Sequence, residues 1–335
     1  MSNDPETVGS TDTADGASPV YLYQDSVPGR TRVWLHHANS SGGPLYFVVR
    51  VTNTQSSPIY VYLNRASSTG SSHPITTTDP PVAGGAAWGA WWYNNPPGGA
   101  DTYLTSIGSG SEYDILKSAS IGNGDTASEI VDFVCTLAGG TSPVGCKVTV
   151  MCYSTSDKQI PATPTNYAAS DGTHHRGTFG HASRSGSVLY YSSNGSEYVE
   201  YFTGLLPGEQ ESGYDATNPT VPATNPGNYG VDYTVTYTVD DNAARGTIYG
   251  YLDDKGGRTT YWLLQDGIAT GCSGGVGSSN CGYCGPYPRT CNNGQTNCTA
   301  YNFSSEVLNG RTVTTTLRFS LPGGSAGGQL IYWAP

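Results

Sequence analysis

Residues 230–252 read GVDYTVTYTVDDNAARGTIYGYL. Tyr233, Val235 and Tyr237 alternate with Thr234, Thr236 and Thr238, the two-residue period of a strand with one covered face. A polar turn at 240–244 follows, and Ile248-Tyr249-Gly250-Tyr251-Leu252 returns, so the stretch reads as a hairpin. Residues 45–63, LYFVVRVTNTQSSPIYVYL, repeat the pattern: Phe47, Val49 and Val51 alternate before a polar turn, and the return ends IYVYL against IYGYL. A second pair of segments matches at the same separation. Val131, Phe133, Cys135 and Leu137 lead through 139–142 to a return at 146–150, as Thr315, Leu317, Phe319 and Leu321 lead through 323–326 to 329–333. Two matches at one spacing predict two copies of one β domain.

The 335 residues suffice for two domains that each bury a core. Forty-five glycines, 21 prolines and 25 tyrosines beside only 12% charged residues describe a chain rich in strands and turns. Many short strands between frequent turns give the fold class: all-β, two tandem β-sandwich domains, jelly-roll or Ig-like, related by internal duplication. Composition divides the chain into an acidic tail at 1–18, expected to be mobile and a candidate donor strand, and a first sandwich at 19–156. A linker at 157–171 and a second sandwich at 172–335, with a Cys-rich loop at 271–299, complete it.

A net charge of −11 with 15 scattered Lys and Arg excludes a phosphate-binding surface, and with it nucleic acid and anionic membranes as partners. No apolar run is long enough to cross a bilayer. The first residues lack the basic start and apolar core of a secretory signal, so export is expected to use a leader removed before residue 1 or another route.

Eight cysteines point to an oxidising setting. Cys135, Cys146 and Cys152 close the first domain, and Cys272, Cys281, Cys284, Cys291 and Cys298 crowd one loop of the second. All eight are disulfide candidates. Four thiolates on zinc, built around Cys281 and Cys284, are the alternative for the loop. Odd counts in both halves leave at least one cysteine per domain for a bond between domains or subunits, or as a free thiol.

Asp171, His175 and His181 are candidate metal ligands, although their spacing meets no metal motif and a polar strand edge explains them as well. Glu197 and Glu200 lie three apart on an expected strand, which points them to opposite faces and excludes a glycosidase dyad. The one GxSxG match, residues 323–327, sits between two strands and reads as a turn. No catalytic residue and no cofactor is therefore assigned. Trp88, Trp91, Trp92 and Tyr93 form the densest aromatic patch, either a sugar-stacking platform or a buried plug at one end of a sandwich. Asn39, Asn194, Asn297 and Asn302 head glycosylation sequons.

The stretches RTRVWLHHANSSGGPLYFVVRVTNT (30–54), HHRGTFGH (174–181) and GNYGVDYTVTYTV (227–239) resemble a family of uncharacterised bacterial envelope proteins with paired β domains. The resemblance implies an extracytoplasmic location and a non-enzymatic role. Together these features predict a structural surface protein, a self-assembling subunit of a filament, sheath or coat whose partners are copies of itself. The alternative is a carbohydrate-binding module that meets surface glycans through the 88–93 patch.

Overall fold

The computed structural model describes residues 1–12, 20–71, 101–154, 167–201, 210–225, 227–255, 262–265, 268–269, 301–320 and 328–335. The chain divides into two units: Met1–Thr76, Val82–Gly180 and Ser212–Asn225 form unit 1, and Thr77–Pro81, His181–Glu211 and Pro226–Pro335 form unit 2. Unit 2 thus takes over at His181 rather than at the expected 172, and 212–225 returns to unit 1.

The first strands are β1 (Thr7–Gly9), β2 (Val20–Val27), β3 (Arg30–Ser40), β4 (Leu45–Thr52), β5 (Ile59–Ser71), β6 (Thr102–Ile107) and β7 (Glu112–Lys117). β8 (Thr126–Leu137), β9 (Cys146–Ser154), β10 (Gly177–Phe179), β11 (Ser183–Tyr191), β12 (Glu197–Tyr201), β13 (Glu211–Asp215) and β14 (Asn218–Asn225) follow. The chain continues through β15 (Asp232–Asp240), β16 (Thr247–Lys255), β17 (Trp262–Gln265), β18 (Ile268–Ala269), β19 (Tyr301–Val307), β20 (Thr312–Ser320) and β21 (Gly328–Ala334). Among the described residues no helix is long and apolar enough to cross a membrane.

Unit 1 contains a five-stranded sheet, β1-β3-β8-β5-β6, and a four-stranded sheet, β2-β9-β4-β7. Their inner faces share one core: Val33, Leu35, Val61, Val131 and Phe133 from the first meet Leu22, Phe47, Val49, Val148 and Val150 from the second. Unit 2 contains β11-β15-β20-β17-β18 and β12-β21-β16-β19. Written in chain order, β1 to β9 map one for one onto β11, β12 and β15 to β21. The map preserves both sheet orders, and it preserves the parallel pairing of the first strand on the third, β1 on β3 and β11 on β15. The chain is two copies of one all-β sandwich, with β10, β13 and β14 as an added small sheet in unit 1.

Two expectations need correction. The four expected hairpins are arches: β4 and β5, β8 and β9, β15 and β16, and β20 and β21 each lie in different sheets. Alternation requires only that one face be covered, and a strand meets that requirement equally well beside its chain neighbour or across the core from it. The repeat alignment of 45–63 with 230–252 is also one strand out of step. IYGYL lies in β16, the counterpart of β4, whereas IYVYL lies in β5. The second match, 131–150 with 315–333, agrees with the map.

Buried polar side chains fix the arches. Asn39, 1% exposed, donates from Nδ2 to the carbonyls of Gly43 and Ile121 and accepts from the Ser41 amide. Asn53 repeats the device after β4, donating to Ser57 and Ile107 and accepting from Gln55. In unit 2 the carboxylate of Asp241 accepts from Ser192 Oγ (2.7 Å) and from the amides of Arg245 (2.7 Å), Gly246 (3.1 Å) and Gly310 (3.0 Å). Burial opposes its charge, but these donors hold the carboxyl down at about 2. One side chain thereby ties together the loops after β11, β15 and β19. Asp241→Ala is expected to lower the thermal midpoint of unit 2 and leave that of unit 1 unchanged, as read by calorimetry.

The first nine residues, expected as a mobile tail, belong to the unit 1 sheet. Ser2 exchanges backbone bonds with Trp34 and His36, and Thr7–Gly9 pairs in parallel with Ala38, Asn39 and Ser40. Val8 is fully buried in the core. An acidic composition suggests solvation, yet here the edge of β3 supplies backbone partners and Arg176 supplies a counter-charge for Asp4 at 3.5 Å. The segment is therefore already placed as a strand of its own unit.

Candidate functional site

A polar cluster of unit 1 surrounds this first segment. His37 Nδ1 faces the carbonyl of Pro5 at 2.7 Å, and a carbonyl only accepts, so Nδ1 carries the proton. Nε2 is then an acceptor, and the Ser2 hydroxyl donates to it at 2.9 Å. The geometry imitates an activated serine. Ser2 and His37 are both 0% exposed, which closes the pair to any substrate. Burial also lowers His37 to about 3, too weak a base to activate serine near neutrality. His36, stacked beside Trp34, is lowered by burial to about 4. The pair is structural.

Two of the candidate metal ligands, Asp171 and His181, are engaged with other partners. Burial opposes the charge of Asp171, but the amides of His174, Glu6 and Thr173 and the ring of His174 hold its carboxyl well below the usual range. His174 spans Asp171 and Glu6, its Nε2 lying 3.0 Å from the Glu6 carboxylate. His175 offers its backbone carbonyl to Asn3. In unit 2, His181 lies 3.1 Å from Glu211, which also accepts from Arg184 Nε at 2.6 Å. Among the described residues no group of three or more His, Cys, Asp or Glu side chains is placed to hold a metal ion.

Cys135, Cys146 and Cys152 are all buried. Cys152, 0% exposed on β9, is enclosed in the unit 1 core and has no surface at which another chain's cysteine reaches it. Burial pushes its thiol well above the ordinary value. Cys152 is therefore not the first-domain cysteine left for a bond between subunits: strand alternation turns it inward with Val148 and Val150. Cys272, Cys281, Cys284, Cys291 and Cys298 lie outside the described residues, as do Trp88, Trp91, Trp92, Tyr93, Asn297 and the 323–327 turn. Of the sequons, Asn39 is excluded as an acceptor because its amide is consumed inside the β3–β4 arch, while Asn194 stands exposed on the turn after β11.

Three surface features remain. Tyr60 and Tyr62 on β5 meet Tyr103 on β6 with ring centroids 5.5–6.5 Å apart, and Tyr103 is 53% exposed. The rings cross at 70–84°, an edge-to-face cluster rather than a flat platform. In unit 2 a crevice of about 330 Å³ opens over Val188, Tyr190, Glu197, Val199, Tyr237 and Trp333. It lies between β11 and β12, the outermost described strands of their sheets.

β11 itself is the third. It pairs with β15 along nine consecutive residues with no break in register, and among the described strands its other side has no neighbour. Its sequence, SRSGSVLYY, contains no proline and no lysine. Val188 and Tyr190 turn inward, while Leu189 (49% exposed) and Tyr191 (37%) face out. Sheet edges in natural proteins are commonly guarded by lysine, proline, a bulge or shortness. The counterpart β1 is only three residues long. β11 has no lysine, proline or bulge and is not short; its one charge, Arg184, pairs with Glu211.

No protein-family model matches the chain, and no curated protein matches it. Among solved structures it is similar to the CUB1-EGF-CUB2 domain of human MASP-1/3, at 9% identity over 93% of this chain and 99% of that one, with a TM-score of 0.20. At that score the likeness bears on neither fold nor function.

Proposed function

We propose that this chain is a structural extracellular surface protein, a self-assembling subunit of a filament, sheath or coat, in which copies join by adding strands at open sheet edges. The long, regular nine-residue edge of β11 carries the reading: its backbone beside exposed Leu189 and Tyr191 is a template for another strand. The duplicated sandwich supports it, since a chain with two copies of one unit offers repeated edges for lateral growth. The resemblance to paired-domain envelope proteins and the low charge of the chain agree with an extracytoplasmic location.

The test places guards on the edge. Ser187→Lys with Leu189→Lys adds two charges on outward positions, where the fold tolerates them. Sedimentation velocity of the native chain is expected to show association that rises with concentration, weakened roughly tenfold or more by the two lysines. A native chain that stays monomeric throughout, or a double-lysine chain that associates unchanged, contradicts the reading.

The carbohydrate-binding alternative was expected of the 88–93 patch, which lies outside the described residues; a second candidate is the half-buried Tyr60 and Tyr62 with exposed Tyr103. It gains weight if a monomeric chain retains glycans on an array and Tyr103→Ala loses them.

A further inference from the structure

Cys135 and Cys146 lie on different sheets of unit 1, on β8 and β9, and their Sγ atoms are 3.3 Å apart. Both are in the core between the sheets, at 0% and 1% exposure. The arch that joins their strands is held by the Val144 amide on the Cys135 carbonyl (2.8 Å) and by a bridge between Thr136 and Pro143. The two thiols therefore meet across the core in a region whose backbone is already fixed. Apolar side chains surround them, and the core offers each sulfur little but the other.

We propose that Cys135 and Cys146 form a disulfide in the mature protein, a covalent staple between the two sheets of unit 1 that excludes Cys152. A bond length of about 2.05 Å requires the sulfurs to close by roughly 1.3 Å, a side-chain adjustment within an otherwise settled arch. The electrons balance by exchange with an oxidised disulfide donor: two thiols pass two electrons and two protons to the donor's S–S bond, leaving one protein disulfide and two reduced donor thiols. Exchange proceeds through a thiolate. The Cys135 contact and burial both push the Cys146 thiol far above its ordinary value, so Cys146 is a poor source of thiolate once folded. Oxidation belongs to folding, before the sheets close. Once made, the bond is sealed from soluble reductants by the same packing.

The chain's own cleavage sites make the test direct. Trypsin releases Ser118 to Lys147 as one peptide holding both cysteines, and Cys152 falls in the next. The full chain is refolded with oxidised glutathione, denatured, treated with N-ethylmaleimide and digested. The expected result is a 118–147 peptide two hydrogen atoms lighter than the dithiol and free of label, with label on Cys152. Label on both Cys135 and Cys146, or a bond from either to Cys152, overturns the proposal. A second readout needs no variant: millimolar reductant leaves the native bond intact, and reduction after unfolding lowers the midpoint of unit 1 by roughly 5–10 °C on refolding. An unchanged midpoint contradicts a staple between the sheets.

Discussion

Lowering the pH from 6.5 to 4 is expected to unfold unit 1 while unit 2 stays folded. His36 and His37 are held neutral by burial, their values lowered from 6.5 to about 4 and about 3. In the unfolded chain both return to 6.5, so between those limits the unfolded state binds more protons and stability falls with pH. Their contribution is complete above 6.5 and is lost as pH drops towards the folded values. At pH 4 each removes on the order of 3 kcal/mol, against a total of about 5–15 kcal/mol for an ordinary domain. Asp171 and Asp241 act later, because a carboxylate held below 3.8 loses its contribution only as pH falls beneath that value. Unit 2 has only His181 among its described histidines, and its side chain is 74% exposed. Hydrogen exchange along a pH series is the measurement: amides of β3 and β8 are expected to open before those of β15 and β20. Equal acid midpoints for the two sets would remove the buried histidines as the cause.

Deleting residues 1–9 is expected to unfold unit 1. The deletion strips β1 from β3, removes Val8 from the core, and takes from His37 both Ser2 and Pro5. It also removes Asp4, whose carbonyl and carboxylate both meet Arg176, a side chain only 5% exposed. A buried charge that loses its partner costs about 3–5 kcal/mol by itself, a large part of a domain's stability. Val8→Ala isolates the apolar share and is expected to cost roughly 2 kcal/mol in urea unfolding. A deletion variant with an unchanged unit 1 transition would show that the segment is peripheral. Loss of assembly in that variant would not diagnose strand exchange, since unfolding alone produces it.

What was legible in the sequence follows from what alternation encodes. Tyr233, Val235 and Tyr237, or Val131, Phe133 and Cys135, mark a strand and its inward face, and those faces are buried as read. Alternation says nothing of which strand lies alongside, so hairpins were expected where arches stand, and IYVYL was matched to IYGYL one strand out of step. The duplication was visible because each copy repeats the same order of faces. β14 escaped notice because Pro219 and Pro222 argue against a central strand; it is an exposed edge, where proline is tolerated. The place of residues 1–9 was hidden for a different reason. Asp4 and Glu6 look solvated until Arg176 and His174, some 170 positions away, are brought beside them. Asn39 reads as the head of a sequon and Asn53 as part of a polar turn, and only the fold shows them clasping carbonyls of remote loops.

Assembly through β11 is tested most directly by hydrogen–deuterium exchange of the native chain as a function of its concentration. Ser183–Tyr191 already bonds to β15 on one side, so the amides that point away from β15 are the ones that a strand from a second copy would protect. The account predicts that exchange in this segment slows as concentration rises and stays fast in the chain carrying Ser187→Lys and Leu189→Lys. Exchange at 183–191 that is independent of concentration while particles form would place the contacts between copies elsewhere and contradict it.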